Sequence, residues 1–145
     1  MGVGTYEKMN RPLLLDTCAC LWTMGDELPP KAERALTEAF DAGLLVYVSP
    51  ITALEIGTMA RKRRLKSPLS AQRWFAALMS QPGMTLAQMP AELLIESQLL
   101  PGGIHKDPYD RIIAATAREY GYTVMTRDRA LLDYGAQGYL SVLEC

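Results

Sequence analysis

Solid apolar runs of three to five residues punctuate the chain, and the stretches between them carry apolar positions at helical spacing. "PLLLD" at 12–16 reads as a buried strand, and "LLVYV" at 44–48 as a second, with β-branched and aromatic content. "TLAQM" at 85–89 is a weaker third, "YTVMT" at 122–126 a fourth, and "GYLSVL" at 138–143 an edge strand. Helices are predicted over Pro30–Asp41, closed by Gly43, and from Ser49 or Thr52 to about residue 65. Two more span 70–80 and about 90–99. The clearest is Pro108–Tyr120, with Asp107 placed to cap it and Gly121 to end it. Strands alternating with helices imply an α/β fold, a mostly parallel sheet of four to five strands covered by helices.

Length and charge narrow this only a little. At 145 residues the chain suits one domain, with its core at about 12–143. No apolar run approaches the length needed to span a bilayer, which speaks against a membrane role. Glu7 and Lys8 near the start, with no long apolar segment behind them, argue against a secretory signal and for the cytoplasm. Cys18, Cys20 and Cys145 form neither a disulfide framework nor a zinc quartet and are expected to be small buried thiols. A net charge of −1 leaves any nucleic-acid affinity to a local patch. The one dense positive run is Arg61, Lys62, Arg63, Arg64 and Lys66, which reads equally as a solvated helix face or as a set of phosphate contacts.

The acids change the picture more. In an open α/β sheet the working site lies beyond the carboxyl ends of the strands. Asp16 ends the first apolar run and Asp128 follows the fourth; Glu55 and Asp110 lie near helix starts. Each has a structural reading. Asp16 and Asp128 can cap following helices, Thr52 with Glu55 spells a capping box, and Asp107 is a natural N-cap. Asp110 is harder to explain so, because Ile113, Ala114 and Ala117 place it on the stripe facing the sheet. Carboxylates drawn to one crevice repel and raise one another's pKa unless a cation joins them. A hard dication with oxygen ligands, Mg²⁺ or Mn²⁺, suits such a set, and zinc does not.

These segments resemble the PIN domain family, and within it the VapC-type ribonuclease toxins of toxin-antitoxin pairs. "LLLDTCACLW" is similar to the family's opening strand and acid, and "VSPITALEIGTMARKRRL" to its second acid followed by basic residues. "HKDPYDRIIAATA" is similar to its third-acid segment, and "VMTRD" to its closing strand and acid. The likeness runs over about residues 12–130. It implies a three-layer α/β/α fold in which Asp16, Glu55, Asp110 and Asp128 hold one or two Mg²⁺ or Mn²⁺ ions, assisted by Thr126 and Asp107. It also implies an RNA substrate, a homodimer and a small antitoxin protein, with "RWFAALM" and Pro30–Asp41 as candidates for the antitoxin groove. "ARKRRLK" lacks the family's usual turn glycine, which leaves the length of its helix open.

Two other readings stand beside this one. A nonenzymatic α/β binding module would use the acids as caps alone. A phosphatase of the haloacid dehalogenase type would want a second Asp two residues after the first, where this chain has Cys18. Trp22, Trp74, Tyr109 and Tyr120 read as core before they read as base-stacking groups. His105 has no nucleophile segment to serve and reads as structural or exposed.

Overall fold

The computed structural model describes residues 11–25, 27–104 and 107–145. Glu7, Lys8 and His105 lie outside them. Five strands, β1 (Leu13–Leu15), β2 (Val46–Val48), β3 (Met84–Leu86), β4 (Thr123–Thr126) and β5 (Ser141–Glu144), form one sheet in the order β3-β2-β1-β4-β5. Every pairing is parallel. The expected strands at 44–48, 85–89 and 138–143 are present but start or end one to three residues away.

Parallel pairing requires crossovers, and the helices supply them: α1 (Thr17–Met24), α2 (Pro30–Asp41), α3 (Pro50–Arg61), α4 (Ala71–Met79), α5 (Ala91–Glu96), α6 (Pro108–Tyr120) and α7 (Arg129–Ala136). They cover both faces of the sheet, so successive strand residues enter different cores. Leu14 and Val124 pack with Leu93, Ile113, Leu131 and Tyr134 on one side. Leu13, Leu15, Val48 and Met125 pack with Ile56, Trp74 and Leu78 on the other. Trp74 and Leu78 thus spend the apolar face of "RWFAALM" inside the chain. No helix of the described residues is long and apolar enough to cross a membrane.

The turn after α3 departs from expectation. The helix stops at Arg61 rather than near 65, and Arg63 adopts a left-handed φ of 56°. Arg63 takes the conformation a glycine would hold at low cost, so a β-carbon is carried in a strained geometry. Arg63→Gly is expected to stabilise the protein by about 0.5–1 kcal/mol, the strain relieved less the added freedom of the unfolded chain. A thermal melt that leaves Tm unchanged or lowered would contradict this account of the turn.

The strand order places a switch point between β1 and β4, where the chain reverses its direction of progress across the sheet. Ligands of open α/β sheets bind in the crevice at such a point. Asp16 leaves β1 and Thr126 ends β4 at that crevice, tied by the Asp16 amide donating to the Met125 carbonyl at 3.3 Å.

Candidate acidic active site

Asp16 meets the demands of its position through neighbours on two elements. It is the N-cap of α1, and its Oδ1 accepts from the Ala19 amide at 2.8 Å. Its Oδ2 accepts from the Thr126 hydroxyl. The same Thr126 oxygen accepts from the Asp128 amide at 2.9 Å, so one buried hydroxyl links the first acid to the last. Burial still holds the Asp16 carboxyl above its usual pKa, against the pull of those two hydrogen bonds, and the charge of Asp128 adds to the rise.

Glu55 is held by a second pair of hydroxyls. Thr17 donates to Glu55 Oε1 at 2.6 Å and lies 3.2 Å from Thr52 Oγ1, with both threonines buried. The capping box expected at Thr52 and Glu55 is therefore absent. Ser49 caps α3 instead, accepting from the Ile51 amide at 3.1 Å, because Pro50 fixes the first helical residue. Thr52 faces inward and meets Thr17, whose hydroxyl binds Glu55. Desolvation raises the Glu55 pKa, with smaller contributions from the charges of Asp107 and Asp16.

Asp107 caps α6 as expected, accepting from the Tyr109 and Asp110 amides. Asp128 caps α7 through Ala130 and Leu131. Asp110, in the first turn of α6, caps nothing: its carboxylate has no hydrogen-bond or ion-pair partner among the described residues. Desolvation first, then the charges of Asp128, Asp107, Asp16 and Glu55, push it up to about 7. Asp107, Asp110 and Asp128 line an open cleft of about 510 Å³ with Gly103, Arg129 and Asp133. Asp16 and Glu55 do not line that cleft, yet both act on Asp110 from beside it.

A cysteine reports the same convergence. Cys18 was expected to be buried but is exposed, since it stands on the outer side of α1 while Cys20 turns into the core. Partial desolvation and the charges of Asp16, Glu55, Asp128 and Asp110 push its thiol up to about 11. All four acids named from the sequence are therefore near enough for their charges to act on this one thiol.

The donor set is oxygen-rich and suits a hard dication rather than zinc. Among the described residues no three Asp, Glu, His or Cys side chains converge as a ready-made cage. Asp16, Glu55 and Asp128 each direct an oxygen to a neighbouring N–H or O–H. The only ion pair between described residues is the exposed Arg129–Asp133 contact at 3.9 Å, so no arginine or lysine among them neutralises Asp16, Glu55, Asp110 or Asp128. By chemistry the set suits Mg²⁺ or Mn²⁺, and no ion pair between described residues offsets the charge of Asp16, Glu55, Asp110 or Asp128.

The basic run does not join the acids. Arg61, Lys62, Arg63, Arg64 and Lys66 are exposed at the end of α3 and in the turn beyond. Of the aromatic residues, Trp74 is buried and Tyr109 and Tyr120 pack against the core, as expected. Trp22 is only half-buried. Thr17 and Thr52 were missed as supports of the acids, and so was the stacking of Arg127 on Trp22, with the guanidinium carbon 4.0 Å from the ring centre. The one local signal for Thr17 was its position directly after the strand-ending acid.

A family model described as PIN domain matches residues 13–137. Ribonuclease VapC22 of Mycobacterium tuberculosis is 27% identical over 119 residues, covering 82% of this chain and 88% of that protein. Among solved structures, VapBC2 from Rickettsia felis, bound to a DNA fragment from their promoter, superposes with a TM-score of 0.68 at 17% identity. That match covers 91% of this chain and 97% of the other. FitAcB from Neisseria gonorrhoeae gives a TM-score of 0.52 at 22% identity, covering 90% and 96%.

Proposed function

The chain belongs to the PIN domain family, and on that premise we propose that it is a Mg²⁺- or Mn²⁺-dependent endoribonuclease of the VapC type, the toxin of a toxin-antitoxin pair. The similarity to Ribonuclease VapC22 supports the activity, and the fold shared with VapBC2 and FitAcB supports the architecture. One observation carries the reading: acids from three other segments, Asp16, Glu55 and Asp128, and Asp107 from its own, act on a single carboxylate, Asp110, that has no cation among the described residues to relieve it.

Asp16 and Asp110 are the inner ligands, and Glu55 and Asp128 hold a second ion or orient the attacking water. A bound Mg²⁺ or Mn²⁺ supplies a water of lowered pKa and offsets the charge that gathers on the phosphate. Thr126 aims Asp16 and offsets part of the desolvation that opposes its charge, and Thr17 does the same for Glu55. Asp107 fixes the start of α6 and so the place of Asp110. The run Arg61, Lys62, Arg63, Arg64 and Lys66 holds RNA phosphates without reading sequence. The partner is a small antitoxin protein, and the working form is a homodimer.

The competing reading, a binding module whose acids are caps, draws on the caps formed by Asp16, Asp107 and Asp128. It gives no role to Glu55 or Asp110, neither of which caps a helix. Incubation of purified protein with RNA separates the two. Cleavage is expected with Mn²⁺, stopped by EDTA and restored by excess Mn²⁺. Cleavage that persists in EDTA would reject the mechanism, and a protein that neither cuts RNA nor binds Mn²⁺ would favour the module.

A further inference from the structure

An acidic cleft repels the polymer it is meant to cut, so the substrate strand must be gripped by cations set beside the acids. Arg127 adjoins two residues of the site in the chain. It lies between Thr126, whose hydroxyl binds Asp16, and Asp128, and it is exposed. Two contacts fix its guanidinium: it lies 4.0 Å from the centre of the Trp22 ring, and its Nε donates to the Cys145 carbonyl at 3.0 Å. Its two terminal nitrogens have no partner among the described residues. Trp22 also lines a cavity of about 520 Å³ together with Met24, Met59, Trp74, Arg64 and Lys66, and with one acid, Glu27. An aromatic and thioether lining with two cations against one acid matches a nucleotide, whose base wants a flat apolar surface and whose phosphate wants a planar donor pair.

We propose that Arg127, held on Trp22, and the cavity that Trp22 lines form a nucleotide subsite of the acidic cleft. The base of a nucleotide flanking the scissile bond enters against Trp22, its phosphate is held by the outer edge of Arg127, and the next phosphate by Arg64 and Lys66. The subsite rests on the ribonuclease reading above. It adds a positioning role for Arg127 and Trp22, and it links the remote basic run to the acids.

The test measures binding apart from cutting. In Trp74→Phe protein Trp22 is the only tryptophan, and its emission is followed in EDTA during titration with a short single-stranded RNA. Saturable quenching is expected. By fluorescence anisotropy of labelled RNA, with Trp74 intact, Trp22→Ala should weaken binding roughly 5- to 150-fold, the range of one lost base stack. Arg127→Ala should make the slope of log affinity against log salt shallower by about 0.7, one phosphate contact on a single strand, and Arg127→Lys should restore that slope. In cleavage assays Arg127→Ala should raise KM more than it lowers kcat.

If the wild-type protein cuts RNA but Trp22 emission, the salt slope and KM all stay unchanged, the subsite is wrong and the nuclease reading stands. If RNA binds and quenches Trp22 yet is never cut, the nuclease reading fails and the subsite survives as a binding site. Should Arg127→Ala lose a co-expressed protein partner and keep its RNA affinity, the surface belongs to a protein and the proposal is overturned.

Discussion

Asp110→Asn is expected to abolish RNA cleavage while raising the melting temperature of the metal-free protein at pH 8. Both effects follow from one carboxylate that desolvation and four neighbouring acids push up to about 7 from an ordinary 3.8. In the unfolded chain the group loses its proton near 3.8, but in the folded protein only near 7. Between those values the folded state binds more protons, so stability falls as pH rises through that window and stays low above it. The melting temperature of the metal-free wild type should therefore climb on acidification from pH 8 toward pH 5. Burial raises Asp16 and Glu55 in the same direction, and solvent reaching the partly exposed Asp110 reduces the amplitude. Asn removes the largest part of this dependence. Saturating Mn²⁺ should stabilise the wild type most at pH 8, where the ligands are ionised, and the variant much less. Cleavage should drop at least about a hundredfold, as when a transition-state-stabilising group is removed. Calorimetric scans at pH 5, 6, 7 and 8, with and without Mn²⁺, check the stability half. An Asn variant less stable than wild type at every pH would show that Asp110 is under no electrostatic strain.

Thr126→Val should destabilise the fold by about 2–3 kcal/mol, because it removes a donor to a buried carboxylate and leaves the Asp128 amide without its acceptor. For a chain of this size that corresponds to a fall in Tm of roughly 5–10 °C. The deficit should be larger at pH 8 than at pH 5, since the lost bond stabilises the ionised form of Asp16. Activity should fall with it, and Thr126→Ser should recover both. A valine variant as stable and active as wild type would mean that the hydroxyl does not hold Asp16.

The parts of this site that follow local rules were legible in the sequence. Leu13–Leu15 and Thr123–Thr126 are uniformly apolar or β-branched because they are buried on both faces, and an acid after such a run points to the crevice. Pro108, Asp107 and Gly121 mark α6 through backbone chemistry confined to a few residues. What stayed hidden depends on distant partners. Thr52 satisfies the spacing of a capping box, but Pro50 starts the helix earlier and turns Thr52 toward Thr17. Arg63 carries no glycine signal, yet the chain takes a left-handed turn there. Arg127 reads as one more surface cation until folding brings Trp22 beneath it.

The strand order bears on how the molecule comes into being during translation. β1 is synthesised first, but its β4-facing edge gains a partner only after residue 126 has been made. Until then Asp16 lacks the hydroxyl that binds it. A nascent chain that has not yet reached Thr126 therefore holds the Asp16 carboxylate without one of its two hydrogen bonds.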